Sequence, residues 1–288
     1  MKSTSIIVNP KKTGAVALGA ELAQWLQDQR VLVMAEHEGA LAMGAPQLSR
    51  DVKELATADF ALVMGGDGTL LHASHALAPA GVPMLAIRFG NFGFLTDTMP
   101  KDAKSAITRI LEGEYTIDER MMLQSRVFRG NSALPVNIAL NDMVITKGPL
   151  SRMLHLRMSV NGRYVSTYAA DGLIVASPTG STAYSLSAGG PLVAPDLEVI
   201  LITPICPHTL NARSLIISSG HTVEVIVEGE HEDTVMLTVD GQSGIRLETG
   251  DTVSIGQANH KARLLCVSDI SFFDKLQSRL RWGDRFDS

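Results

Sequence analysis

At 288 residues, 45% apolar and 19% charged, the chain has the composition of a soluble globular protein and is long enough for two domains with full hydrophobic cores. It holds no run of about 18 apolar residues, and residues 1–6 lack the apolar core of a signal peptide; the sequence predicts neither a membrane span nor secretion and reads as cytoplasmic. A net charge of −5 argues against broad nucleic-acid binding, and the two cysteines, Cys206 and Cys266, fall in no metal-ligand spacing and read as packed thiols.

In chain order, residues 5–8 read as a strand, followed by a helix carrying Leu18, Leu22, Trp25 and Leu26, then by strands at 31–35 and 60–64. A helix is predicted from Thr69, a strand at 83–87, and a helix at 102–112 with Ile107, Ile110 and Leu111 on one face and Gly113 just beyond its end. This alternation predicts an N-terminal α/β domain with a Rossmann-like parallel sheet. From Tyr115 the period changes. Short runs rich in β-branched residues at 121–128, 143–146, 153–160, 223–227, 235–239 and 253–255, with the hairpin signal Asn161-Gly162, predict a mostly-β C-terminal domain. Residues 272–282, with Phe273, Leu276 and Leu280, return to a helical period, and this C-terminal helix is expected to pack back on the N-terminal domain. The expected divisions are 1–114, 115–270 and 271–288.

Residues 59–71, D-F-A-L-V-M-G-G-D-G-T-L-L, run an apolar strand into a glycine-flanked aspartate and then a helix. Gly65, Gly66 and Gly68 suit positive φ and close approach to a ligand, and a helix beginning at Thr69 presents unpaired N–H groups and a positive dipole end to a phosphate. Asp67 is the odd member, because a carboxylate among phosphate-binding amides repels the ligand unless it binds a metal or takes a proton from an attacking hydroxyl. The alternative is a tight turn with Asp67 as the helix N-cap.

Residues 171–191, D-G-L-I-V-A-S-P-T-G-S-T-A-Y-S-L-S-A-G-G-P, place a strand before a loop crowded with hydroxyls and glycines, which suits a polar ligand or a serine-rich turn. Asn141-Asp142, between apolar runs, suits a ribose or carboxamide, or an ordinary turn.

Together these segments resemble the NAD kinase family over nearly the whole chain. The matching stretches are G-G-D-G-T-L-L at 65–71, G-F-L-T-D at 93–97, N-D at 141–142, the serine–threonine loop at 171–191, T-P-I-C-P-H-T-L at 203–210 and V-D-G-Q at 239–242. G-G-D-G-T alone is shared with diacylglycerol and sphingosine kinases and loosely with 6-phosphofructokinases. The resemblance implies metal-assisted phosphoryl transfer from ATP or polyphosphate to the 2′-hydroxyl of the adenosine ribose of NAD, with Mg²⁺ or another divalent metal and with Asp67 as the proton acceptor. It implies phosphate contacts at Gly66, Gly68 and Thr69, and Leu71 and Phe94 near the adenine. Asn141 and Asp142 would hold ribose or nicotinamide-side groups, and Asp171, Thr182, Ala183 and Tyr184 would line the dinucleotide site. His208 either faces the ligand or is packed, and Gln242 is either a contact or part of a hairpin turn. A homodimer or homotetramer sharing ligand contacts between subunits is implied as well.

Two departures from the family pattern stand out. Arg88 occupies a position usually held by asparagine, where it meets either a donor phosphate or a surface carboxylate, with the second favoured. Ala169 stands where a large basic side chain accompanies restriction to the oxidised cofactor, so use of NADH beside NAD is expected. The competing readings are a lipid kinase, for which the chain offers no basic amphipathic anchor, and a dinucleotide sensor without turnover, which would have little need of Asp67.

Overall fold

Short apolar runs bounded by turn residues form the strands of the first part of the chain, and amphipathic segments between them form its helices. The computed structural model describes residues 2–90, 93–148, 153–209, 211–229, 234–242 and 244–280. Residues 91 and 92 beside Arg88, 210 in the histidine stretch, and 281–282 of the predicted last helix lie outside these. The first elements are β1 (Ser3–Val8), α1 (Thr13–Asp28), β2 (Leu32–Glu36), α2 (His37–Ala42), β3 (Ser49–Arg50), α3 (Val52–Leu55), β4 (Phe60–Gly65), α4 (Asp67–Leu77), β5 (Met84–Arg88) and α5 (Ala103–Glu112).

Residues 1–119 and 261–288 form one compact unit. Its strands pair in parallel in the order β5-β4-β1-β2-β3. All six residues of β4 are buried, as expected of a parallel strand covered on both faces. Leu22 and Leu26 of α1 and Ile107 and Ile110 of α5 complete this core with Ile6, Leu62 and Met64. Gly113, at φ 86°, ends α5 in the left-handed conformation that glycine adopts without penalty.

Residues 120–260 form the second unit, which is mostly β. Its elements are β6 (Thr116–Arg129), β7 (Ser132–Ala133), β8 (Asn137–Ala139), β9 (Asp142–Lys147), β10 (Leu154–Val160), β11 (Arg163–Ala170), β12 (Gly172–Ala176), α6 (Tyr184–Ser187), β13 (Val199–Ile205), β14 (Leu215–Ser218), β15 (Val223–Glu228), β16 (Val235–Val239), β17 (Gly244–Leu247) and β18 (Thr252–Cys266). One sheet runs β14-β13-β12-β9-β16-β17, and β11, β10, β15 and β18 pair antiparallel in turn. Along β15, Val223, Val225 and Val227 are buried and the residues between them are not, the period-2 signature of a strand with one face on a core. Asn161 and Gly162, at φ 50° and 74°, make the two-residue turn between β10 and β11.

β18 is fifteen residues long where the apolar run at 253–255 predicts a short strand. Its polar middle, Gln257 to Lys261, masks the continuing backbone pairing, and Leu264 near its end joins β5 at Met84 in the first unit. The last helix, α7 (Phe272–Leu280), belongs to the first unit and docks there through Lys275 and Arg279, both paired with Asp97. Cys206 departs from the reading as a packed thiol: it is exposed, at φ 43°, while Cys266 is half-buried. No helix among the described residues is long and apolar enough to cross a membrane.

Candidate active site

In the first unit, α4 begins at Asp67, two residues before the predicted start, with Gly66 as its N-cap. Asp67 is therefore not the cap. Its carboxylate is held instead by a distant segment: Phe94 N–H donates to Oδ2 at 2.8 Å, and Leu95 N–H and Thr96 Oγ1 donate to Oδ1, each at 3.3 Å. A Cβ on Gly93 would stand 2.1 Å from Asp67 Oδ1, so only glycine permits this approach. The glycines of the motif do not use positive φ as the sequence suggested. Gly66 is extended (φ −109°, ψ −171°), and neither Gly65 nor Gly68 has positive φ. Close packing is what demands glycine at 65, where a Cβ would meet Thr69 Oγ1 at 2.1 Å.

Beside this turn lies a cavity of about 740 Å³, lined by Asn9, Lys11 and Lys12 after β1, by Gly66, Gly68 and Thr69, and by Glu36, Glu38 and His72. Its size suits a nucleotide-sized ligand. Lys12 Nζ bonds to Phe89 C=O and lies 3.6 Å from where a Cβ of Gly66 would stand. His72 Nε2 meets Glu36 Oε1 at 2.7 Å, and this hydrogen bond holds the imidazole pKa above its ordinary value against the opposing effect of burial. Sequence reading missed this cavity; Asn9-Pro10-Lys11-Lys12 at the end of the first strand, the position of phosphate loops in βαβ units, was the signal.

The remaining first-unit candidates are placed less directly. Leu71 is 7% exposed, on the buried face of α4. Phe94 is half-buried, with the Arg279 guanidinium 5.5 Å from its ring centroid. Arg88 Nη2 lies 3.0 Å from Met99 Sδ, and among the described residues no carboxylate pairs with it.

In the second unit, Asp142 opens β9 with Asn141 just before it, and both are fixed by a residue of the V-D-G-Q stretch to which the sequence assigned no role. The Asp240 carboxylate accepts from the N–H groups of Leu140 (2.8 Å), Asn141 (2.7 Å) and Asp142 (3.0 Å). Asp240 and Gly241 both have positive φ, at 49° and 66°, in the turn between β16 and β17, and Gln242 N–H closes that turn on Val239 C=O. The serine–threonine loop packs on the same corner. Ser177 N–H donates to Asn141 C=O at 2.8 Å, and a Cβ on Gly180 would stand 2.1 Å from that oxygen. Thr182 Oγ1 bonds back to Thr179 C=O, Ala183 N–H to Gly180 C=O, and Tyr184 is 45% exposed. A second group gathers Ala169, Asp171 and His208: His208 N–H donates to Ala169 C=O, and Asp171 pairs with Lys147 at 2.8 Å. The His208 side chain is exposed rather than packed.

Burial, and then the charge of Asp240, push the Asp142 carboxyl up to about 7, against the Tyr184 amide that bonds to it. The folded protein thus keeps a proton that the unfolded chain loses near pH 3.8, and the stability this confers is full below that value and lost as pH rises through 7. Asp142→Asn, which cannot ionise, is expected to gain stability over the parent as pH rises from 5 to 8, by up to about 3 kcal/mol, because the parent loses about 1.36 kcal/mol per pH unit over the two units from pH 5 to the folded value of about 7 and little beyond it. Urea unfolding at the two pH values checks this; a constant difference would place the charge of Asp142 outside the stability balance.

A clamped carboxylate at a glycine turn, beside a lysine-lined cavity over a parallel sheet, defines a nucleotide-phosphate-handling α/β protein. Residues 5–115 match the profile of the ATP-NAD kinase N-terminal domain and residues 140–267 that of the ATP-NAD kinase C-terminal domain. The chain is 42% identical over 289 residues to an NAD kinase of Desulforamulus reducens, covering 100% of each. It is 43% identical to an NAD kinase of Moorella thermoacetica, covering 98% of this chain and 90% of the relative. Among solved structures, yeast NADH kinase complexed with NADH superposes with a TM-score of 0.90 over 99% of this chain and 89% of that one. An NAD kinase from Archaeoglobus fulgidus in complex with ATP gives 0.74 over 98% and 99%. Both are 24% identical to this chain, so that likeness is one of fold. This chain belongs to the NAD kinase family.

Proposed function

We propose that this protein transfers the terminal phosphoryl group of ATP to the 2′-hydroxyl of the adenosine ribose of NAD, releasing ADP and NADP. A bond forms between the ribose oxygen and the γ-phosphorus, the bond from that phosphorus to the β,γ-bridging oxygen breaks, and the hydroxyl proton passes to Asp67. The observation that carries this reading is the Asp67 clamp: three donors fix the carboxylate at the glycine turn, an arrangement suited to a positioned base. Family membership supplies the substrates.

Lys11, Lys12 and the Gly66–Gly68 turn suit the donor phosphates, while Glu36 and Glu38 in the same cavity suit ribose hydroxyls and repel a polyphosphate chain; ATP is the donor we put forward. Among the described residues no three His, Cys, Asp or Glu side chains gather as a metal cage. Mg²⁺ is usually held largely by the phosphates it accompanies, so the donor phosphates would carry it beside the turn, and Asp67 keeps its role as proton acceptor. Bound Mg²⁺ would offset charge on the transferring group.

Asn141, Asp142, Asp171, Thr182, Ala183 and Tyr184 are assigned to the dinucleotide, with His208 and Gln242 as flanking contacts. The small side chain of Ala169 favours use of NADH as well as NAD. Tyr164 and Val165, 60% and 43% exposed on the edge strand β11, suit pairing with a second copy, in keeping with a homo-oligomer that shares ligand contacts. Steady-state assays pairing NAD and NADH with ATP and with polyphosphate, in the presence of Mg²⁺, test the proposal. NADP from NAD and ATP is expected, with NADPH from NADH and little product from polyphosphate; no product from any pairing would sink the kinase reading.

A further inference from the structure

The segment that holds Asp67 is itself held by the C-terminal helix. Phe94 and Leu95 direct their N–H groups to the Asp67 carboxylate, while the carbonyls of the same stretch face α7. Phe94 C=O accepts from Lys275 Nζ at 3.4 Å, and Thr96 C=O accepts from Arg279 Nη2 at 3.4 Å. Asp97 anchors both cations, Lys275 Nζ on Oδ2 and Arg279 Nη2 on Oδ1 at 2.7 Å. The Arg279 guanidinium also lies over the Phe94 ring.

Simple docking of an amphipathic helix would bury Leu276 and leave the charged ends of these side chains in water. Here Lys275 is 7% exposed and the Arg279 side chain 8%, two cations share one carboxylate, and Arg279 Nη1 is buried with no partner among the described residues. Burying charge in this way costs free energy, so the pair makes a poor device for stability alone. What it does is complete a chain of polar groups. The peptide joining Phe94 to Leu95 accepts from Lys275 at its oxygen and donates to Asp67 Oδ1 at its N–H. A peptide polarised by an ammonium at its oxygen is a stronger donor at its nitrogen.

We propose that Lys275 and Arg279 are positioning residues for Asp67, acting through residues 94–97, so that turnover depends on the C-terminal helix although α7 bears no group in the chemistry. The effect on turnover rests on the reading of Asp67 as the base. The test uses the full chain carrying Lys275→Met, Lys275→Arg, Arg279→Lys, Asp67→Asn, and Asp67→Asn combined with Lys275→Met. Lys275→Met is expected to lower kcat about tenfold to a hundredfold, the scale of small misplacements of a reacting group, while KM for NAD stays within about twofold. Lys275→Arg is expected to restore most of that loss. In the Asp67→Asn background Lys275→Met is expected to change kcat no further, since residues that act as a unit are not additive. An unchanged kcat in the parent background, or an equal loss in both, overturns the proposal.

Amide hydrogen exchange at Phe94 and Leu95 supplies a readout independent of activity. Faster exchange confined to this segment is expected in Lys275→Met, and unchanged exchange overturns the proposal. Should Lys275→Met fail to fold, Arg279→Lys, which keeps the charge and loses the planar fork, carries the same comparison with the same criteria. A wild type that forms no NADP would remove the kinase reading, while the exchange data would still decide whether α7 holds the segment.

Discussion

Asp67→Asn is expected to lower turnover by about 10²- to 10⁴-fold, the usual worth of a positioned general base, while NAD still binds and the fold is kept. The amide keeps one oxygen for a donor from residues 94–96 and loses the other to an NH₂ group that faces a donor, so the substitution disturbs one hydrogen bond without emptying the site. Steady-state kinetics beside calorimetric titration of NAD separates the two effects. Turnover like that of the wild type would remove Asp67 from the chemistry and leave its clamp as a purely structural feature. Weak NAD binding with kcat intact would instead make Asp67 a substrate contact.

Asp240→Ala is expected to destabilise the protein by about 3–5 kcal/mol, because three N–H groups, those of Leu140, Asn141 and Asp142, lose their acceptor at a largely buried position. For a protein of this size that corresponds to a fall in Tm of roughly 10 °C. The same change removes one of the two causes that raise the Asp142 carboxyl, so the pH dependence expected of Asp142 should weaken in the variant. Thermal melts at pH 6 and pH 8 read both consequences. A melting point within a degree or two of the wild type would show that water replaces the carboxylate at these amides, and Asp240 would then be no organiser of the Asn141-Asp142 corner.

Family membership was legible in the sequence because the motifs that carry it are local and dense. The serine–threonine loop, the glycine–aspartate turn and the N-D pair each occupy a few consecutive residues, and their order along the chain is enough to distinguish this family from others that share only G-G-D-G-T. Arg88 shows the opposite case. Its side chain lies against Met99, eleven residues away, a contact that no local pattern announces.

The sequence by itself determined the elements whose pattern is periodic: the buried strand β4, the α1 and α5 helices with their apolar faces, the Asn161-Gly162 turn, and the change from α/β to β near residue 115. These follow from the 3.6- and 2-residue periods and from the few residues that tolerate positive φ, all properties of neighbours along the chain. Tertiary structure alone decided where the polar groups of those motifs find their partners. Asp67 meets donors 27 to 29 residues away, and Asp240 meets amides 98 to 100 residues away. Lys275 reaches the Phe94 carbonyl across 181 residues. A buried carboxylate or ammonium must be satisfied by whichever donors and acceptors the packed chain brings within about 3 Å, and that choice belongs to the meeting of loops in space, which local periodicity does not encode.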